Sequence, residues 1–577
     1  MRPPSRRRPA GDLAWRAVNS TTHRRTAALA RAALLGGAAA LLGCEALLGI
    51  EDVSLDSGAG GGASSSSSPS GSGGGTADGG GGQGGQAEGD FTFAILADSV
   101  DVPYNGVNYV TVAITRIGGF DEPVVVDVQA APAGLVADPI TIPSGSSAGR
   151  LEVGASGALT LGTTFDLDLI ATSGRTARTD SARAVVTGKP GTLDESFGAA
   201  GITSWNLASD GGGLHDIRQA ASGQILTAGN SISGVGASKL EGFRLLRDGA
   251  LDPAFAGGRV TSSFCSCTKY QEIRGITRLI NGTVFLAGYA SGEATDDIAF
   301  LRYRDNGTQD NIDSANTGKG LIDLGGDEHV AAMDLSASEQ LFVTGERDAQ
   351  LFVAAINPTY GYLDNKFATV GWIAPLGVGP SAGTALTARP DGSVLVAGWV
   401  EEGGDRDIVL VQIEANGAVG GLGELTIARP GQQEPVAVVV QPDGRILVGV
   451  RSTEAGSSDF LVVRLEADGL FDTTFGEDGF ALAGLAGGEA VDMALMPDGR
   501  IVVAGNVGQG ANSQPTLVRF QPDGALDPTF GDKGVQALFL GEQDFVQSMT
   551  LSTDGKLLVS GVRQTFPTHG LVARLWN

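Results

Sequence analysis

The chain is poor in the residues on which most catalysis and metal binding rest. Its 577 residues hold four histidines and three cysteines. Beyond residue 43 only His215, His329 and His569 remain, and no HExxH string, Walker loop or histidine cluster with metal spacing occurs. Residues 91–187 contain no cysteine, which excludes the inter-sheet disulfide of antibody-type domains. Positive charge is scarce too. The net charge is −26, and the first 43 residues, with eight Arg and one Asp, carry +7 of it, leaving −33 on the remainder. So acidic a surface argues against nucleic acid and against electrostatic docking on anionic lipid. It remains compatible with divalent cations or basic partners. Aromatics make up 6% and charged residues 18%, against 89 glycines, the composition of an all-β chain with many turns and a low-complexity segment.

The first 43 residues read as an export signal. Arginines 2, 6–8, 16, 24, 25 and 31 precede an apolar run over residues 32–43. About a dozen residues are too few to cross a bilayer core of about 30 Å as a helix. The run ends Leu41-Leu42-Gly43-Cys44, which resembles the lipobox of bacterial lipoproteins. That resemblance implies a lipid-modified Cys44 as the mature N-terminus and membrane attachment through the lipid alone. Glu45 in place of an aspartate favours the outer membrane, and the pair Arg24-Arg25 leaves twin-arginine export open. An ordinary signal peptide with a chance cysteine is the plainer alternative. Residues 44–90 read as a tether: positions 57–89 are nearly all Gly, Ser, Ala and Gln, too polar to offset the entropy of ordering.

Residues 91–188 alternate apolar and polar positions in short runs, as in Tyr109–Arg116 and Phe165–Ala171, separated by turn residues. About seven such strands in this length predict an immunoglobulin-like β-sandwich. Asp166 and Asp168 fall on the solvent side of one strand; as calcium ligands they are the weaker reading.

From residue 189 onward a hairpin recurs: a turn, four apolar residues, then glycine. The closing glycines are Gly229, Gly288, Gly345, Gly398, Gly449, Gly505 and Gly561, spaced 59, 57, 53, 51, 56 and 56 residues apart. The fifth copy reads one residue short. Each unit carries four strand-like segments, which predicts one sheet per repeat and, with seven repeats, a seven-bladed β-propeller over 189–577. The ends are out of phase. Leu193-Asp-Glu-Ser-Phe-Gly198, a fourth-strand tag, precedes the first hairpin, and Leu571–Trp576 is a third strand with no fourth after it. A ring closed three-plus-one reconciles them by giving the entering strand to the last sheet. Arg244, Arg302, Arg464, Arg519 and Arg574 each precede a tag-like aspartate (Asp252, Asp472, Asp527) or occupy the same place, predicting Arg–carboxylate pairs between strands three and four. The closing pair is then Asp194 with Arg574.

The Pro-Asp-Gly-x-Ile-Leu-Val-x-Gly hairpins at 442–449 and 497–505, with the Leu-Asp-x-x-Phe-Gly tags at 193–198 and 526–531, resemble the delta-60 repeats of bacterial surface and secreted proteins. The resemblance implies the propeller fold and carries no reaction or ligand with it. Ser338-Glu339, without the turn glycine, and Ala418–Leu422, without the aspartate tag, depart from it.

Chemistry-bearing motifs are few. Gly379-Pro-Ser-Ala-Gly383 matches G-x-S-x-G but leads into a strand, where a nucleophile elbow needs a strand-to-helix turn. Asp327, Glu328 and His329 sit in a loop position and read as solvated, with a metal site as the weaker reading. Cys265 and Cys267 are one residue apart, leaving a strained disulfide, free thiols or part of a metal site open. Asp296-Asp297, Asp405, Asp407 and Asp459 open third strands; a blade-building role is the simpler reading, with Ca2+ as the only cofactor in view. The sequence thus points to a non-enzymatic envelope lipoprotein that offers a propeller to a protein or glycan partner. A carbohydrate-active or other hydrolytic propeller, needing carboxylates or a histidine converging on the axis, and a purely structural envelope component are the alternatives.

Overall fold

The computed structural model describes residues 17–18, 90–97, 99–208, 211–233, 237–264, 270–292, 295–311, 318–376, 379–508, 510–541 and 543–577. Cys44, the tether, Cys265 and Cys267 lie outside these residues. Two compact units are divided between Thr187 and Gly188.

In the first unit, nine strands form two sheets. One joins Ser99–Pro103, Thr176–Thr187, Thr164–Ser173, Val124–Val128 and Ile140–Ile142; the other joins Asp90–Ile95, Asn108–Ile117, Ala148–Ala155 and Leu135–Ala137. All pairings are antiparallel except that of Ser99–Pro103 with Thr176–Thr187. Period-two alternation places Val110, Val112, Ile114, Leu167, Leu169 and Ala171 in one shared core. Asp166 and Asp168 point the other way and are exposed. The strands that alternation did not announce, such as Leu135–Ala137, are three to six residues long.

The described strands of the second unit form six sheets, one of which joins two four-stranded groups through a single parallel bridge, Arg406 to Gln432; the seven recurring groups are called sheets I to VII here. Their first strands are Gly211–Gln219, Gln271–Arg278, Glu328–Leu335, Ser381–Ala388, Gln432–Val440, Gly488–Leu495 and Asp544–Leu551. Each of these inner strands lies beside the next, and that of sheet VII returns to that of sheet I. Sheet VII is completed by Ile202–Ala208, which pairs antiparallel with Thr568–Leu575. The seam between sheets VII and I is packed like any other: Phe197, Leu214, Ile217, Phe243, Leu558 and Val572 form one buried cluster across it. A fully buried side chain of this size contributes about 1.5–3 kcal/mol.

Every inner strand carries a β-bulge at the same level, at His215, Arg274, Ala331, Thr384, Val436, Val491 and Gln547. The bulge accounts for the recurring glycine. By crowding the inner strand against the second, it leaves no room for a side chain: a Cβ at Gly229, Gly288, Gly345 or Gly561 would lie 1.9 Å from a carbonyl oxygen of the inner strand. The register also corrects the fifth copy. Gly449 pairs with Ala437, past the bulge, and Val450 stands opposite Pro435 where the other copies place glycine. That hairpin is full length, with its glycine displaced by one position.

The tags hold the outer parts of the sheets. Nε of Arg244, Arg464 and Arg519 donates to Oδ2 of Asp252, Asp472 and Asp527 at 2.8 Å in each case. The same guanidiniums lie over Phe255, Phe475 and Phe530, the tag phenylalanines. Arg302 pairs with Asp310 at 2.8 Å, at the same eight-residue spacing but without the leucine and phenylalanine of the tag. Arg574 Nε donates to Asp194 Oδ2 at 2.8 Å across 380 residues, and Lys556 Nζ reaches the same oxygen at 2.9 Å. Sheet III has alanine, Ala355, in the arginine position and a broken outer strand, Tyr362–Leu363 and Trp372–Ile373. In sheet IV the missing tag is replaced by a continuous outer strand, Val419–Ile427.

Candidate functional site at the mouth of the ring

Inner strands begin at the face that carries the sheet-to-sheet connections, and the residues just before the bulge lie at that mouth. Within so repetitive a ring, this level is where the copies differ. Two residues before the bulge stand Gly213, Glu272, His329, Ala382, Glu434, Glu489 and Phe545, paired with Asn230, Tyr289, Glu346, Trp399, Arg451, Asn506 and Val562. Deeper positions are mostly small or aliphatic, with Asp216, Arg218, Asp334 and Asp492 as the charged exceptions.

Glu272 of sheet II is the hub. Its carboxylate is buried, with its side chain 3% exposed. His215 Nε2 lies 2.7 Å from Oε1, while Arg274 Nη2 at 3.1 Å and the Tyr289 hydroxyl at 3.0 Å donate to Oε2. Burial alone would raise its pKa, but the bonds from His215 and Tyr289 and the charge of Arg274 outweigh it and hold it at about 2. The cost falls on the phenols. Burial, then the Glu272 charge, pushes both Tyr270 and Tyr289 above the usual tyrosine range. The same Nε2 lies 3.0 Å from Asn230 Oδ1, and the Gln547 amide nitrogen lies 3.4 Å from Nδ1. Rings run across this part of the mouth: Tyr270 to Tyr289 at 6.3 Å and Tyr289 to His329 at 4.8 Å.

Deeper toward the axis, Arg218 of sheet I gathers carboxylates from several sheets. It lies 3.3 Å from Asp216 and 3.3 Å from Asp334 of sheet III, and donates to the Met333 carbonyl at 3.1 Å. Asp492 of sheet VI acts on the same guanidinium through space. Burial pushes Asp492 up to about 6, and it raises Asp216 as well. Each carboxylate also accepts a backbone N–H from the next inner strand: Asp216 from Ile276, Asp334 from Ala388 and Asp492 from Met549. They therefore tie the inner strands together, and their acceptor capacity is largely spent there.

The residues singled out by sequence divide accordingly. Ser381 of the G-x-S-x-G string is fully buried and its Oγ accepts the Leu351 N–H at 3.0 Å, a structural role. Asp407 and Asp459 cap amides of the connecting segments, at Arg429 and at Gly484 and Leu485. Asp405, opposite Glu402 in the hairpin of sheet IV, is exposed. Glu328 is a correction to the solvated-loop reading. It is fully buried at the start of an inner strand and accepts the Leu324 and Gly326 amides at 3.2 and 3.0 Å. Burial raises it to about 7. Its carboxylate, with those of Asp297 and Asp323, has oxygens within 4.8 Å of one another, the group among the described residues best suited by donor type to Ca2+. His329 does stand in solvent, with Asp296 Oδ2 at 3.0 Å. His569 is half-buried, with Nδ1 3.3 Å from the Thr565 hydroxyl. Sequence reasoning missed Glu272, Arg274, Asp216, Arg218, Asp334 and Asp492; Glu272 is matched at its level by Glu434 and Glu489, so the repeat alone does not single it out.

With this geometry in view, comparison with known proteins assigns the class. Residues 389–419, 441–475 and 497–530 match a family model described as "Domain of unknown function (DUF5122) beta-propeller". The chain is thus an all-β protein with β-propeller repeats. No curated protein matches it. Among solved structures, one alignment is with the S. cerevisiae core factor, at 9% identity and TM-score 0.35, covering 65% of this chain and 61% of that one. Another is with the β-1,2-mannobiose phosphorylase of Listeria innocua, at 13% identity and TM-score 0.24, covering 52% and 88%.

Proposed function

We propose that the chain is a non-enzymatic cell-envelope lipoprotein, anchored through Cys44, which presents a seven-bladed propeller of delta-60 type, preceded in the chain by an immunoglobulin-like sandwich, as a binding scaffold. One observation carries this reading: the axial carboxylates are engaged in ties between inner strands, while variation among the copies concentrates at the mouth, where ligands meet a rigid frame. The envelope location rests on the lipobox-like Leu41–Cys44 segment.

A hydrolytic reading has one observation in its favour, the His215–Glu272 contact at 2.7 Å beside the axis. Against it, Glu272 already holds three partners, which leaves it little basicity for a general base. Screening the full chain on defined glycans and envelope proteins, with and without calcium, tests the scaffold. Saturable binding without turnover supports it, turnover of any bound glycan replaces it with the enzyme, and no binding at all leaves a structural component. Incorporation of a fatty-acid analogue into wild type and not into Cys44→Ala tests the anchor.

A further inference from the structure

Exposed apolar side chains gather on one side of the ring, away from the mouth. Among the described residues of the second unit eleven large apolar side chains are exposed, and five of them, Tyr360, Tyr362, Val370, Val419 and Leu470, belong to sheets III, IV and V. Four of the five stand at the turns between third and fourth strands, where sheets I and VI place Asp248 with Ala250 and Asp523 with Ala525. These three turns follow one another in contact. That of sheet IV rests on sheet III, the Ala368 N–H donating to the Asn416 carbonyl at 2.8 Å, and a Cβ at Gly469 in the turn of sheet V would lie 2.8 Å from Leu422 of sheet IV. Tyr360 and Tyr362 stack at 5.5 Å. A contiguous exposed apolar surface of this kind marks a contact site. The outer strand of sheet IV adds an open edge to it. Val419–Ile427 holds no Lys, Arg or Pro to guard that edge, and a Cβ at Gly421 or Gly423 would meet nothing. One segment already sits there: Ala17–Val18 pairs antiparallel with this strand, Ala17 opposite Ile427 and Val18 opposite Thr426.

We infer that this face is the docking surface for the chain's own leader, whose apolar run, residues 32–43, packs against Val419, Leu470 and the tyrosine pair for as long as the leader is attached. That run lies outside the described residues. Charge points the same way. The leader carries +7 and the remainder −33, and Glu424 and Asp468 are exposed beside the face. A second copy would set two acidic bodies against each other, whereas the leader brings the opposite sign. Reach is sufficient as well. Fourteen residues lead from Val18 to Ala32, about 45 Å when extended, while Val419 lies at most about 25 Å along the strand from Thr426. The inference concerns the unprocessed chain and goes beyond the scaffold reading; on that reading, removal of the leader before Cys44 bares the face.

The 577-residue chain, synthesised without membranes so that the leader is retained, is the sample that tests it. Trypsin should cut after Arg31 at least about 10-fold more slowly than in Leu470→Asp, or than in a chain carrying both Leu34→Asp and Leu35→Asp, because cleavage tracks the undocked population. Amide exchange at residues 419–427 should be about 10-fold faster in the double leader variant than in wild type. Phe566→Asp, at an exposed position of sheet VII, serves as the control and should change neither reading; unfolding temperatures close to wild type establish that the variants are folded. The inference is overturned if Arg31 is cut equally fast in wild type and variants, if exchange at 419–427 is indifferent to the leader, or if Phe566→Asp acts like Leu470→Asp. Protection that rises with protein concentration also overturns it and assigns the face to a second copy. Neither reading depends on whether the ring holds a ligand, so the scaffold proposal stands or falls separately.

Discussion

Replacing Asp194 with alanine should loosen the ring at one place. The substitution strips Arg574 and Lys556 of a shared carboxylate that is 1% exposed. Leaving a buried charge without its partner typically costs about 3–5 kcal/mol. Asp527→Ala does the same to Arg519, so the two variants should lose comparable global stability. They should differ in what opens. The Asp527 pair closes 8 residues and the Asp194 pair 380. At (3/2)RT ln n, closure costs about 2 and about 5 kcal/mol respectively, so a detached entering strand regains about 3 kcal/mol more chain freedom than a local tag. Amide exchange read peptide by peptide is the assay. In Asp194→Ala, residues 202–208 should exchange well below the denaturant concentration that unfolds the molecule. In Asp527→Ala, residues 535–537 should stay better protected. Equal or slower exchange at 202–208 would refute the idea that the long closure makes the entering strand open before a local tag does.

Other outcomes follow from the same geometry. Gly288→Ala and Gly345→Ala should each destabilise by at least about 1–3 kcal/mol, because the new Cβ meets a backbone carbonyl. Gly449→Ala should cost less, since its Cβ meets the side chain of Met493 at 3.0 Å; thermal unfolding ranks them. Glu272, held at about 2 in the fold against an ordinary value of 4.5, contributes stability that is fully present above pH 4.5 and is lost as pH falls toward 2. The gap between wild type and Glu272→Gln in urea midpoint, on the order of 3 kcal/mol at neutral pH, should therefore shrink through that window. Asp492 behaves with the opposite sign. Its carboxyl is raised from 3.8 to about 6, so wild type should weaken relative to Asp492→Asn as pH rises from about 4 to 6. A difference that is flat in pH would show that this carboxylate is solvated.

Much of the frame was legible because it rests on local chemistry. Turn dipeptides, β-branched runs and tags with a fixed Arg–Asp spacing announce themselves in one dimension, and so did the pairing of Asp194 with Arg574. The bulge was not legible, since a bulge is a relation between two strands. Its only trace was the glycine opposite it, which misled in the fifth copy, where Val450 takes the pinched position. Glu328 was misread because a loop-like string gives no sign that its carboxylate will turn inward to hold the Leu324 and Gly326 amides. The mouth was hidden for a further reason. His215, Glu272 and Gln547 come from three inner strands scattered along the chain, and only the circular arrangement makes them neighbours.

The borrowed strand also sets a timetable. Asp194 leaves the ribosome 380 residues before Arg574. At about 5–20 residues per second, that is a wait of roughly 20–80 s with an edge ribbon and its acidic hook unpartnered. A segment that must idle so long is exposed to the wrong neighbour, including the same ribbon on another nascent copy.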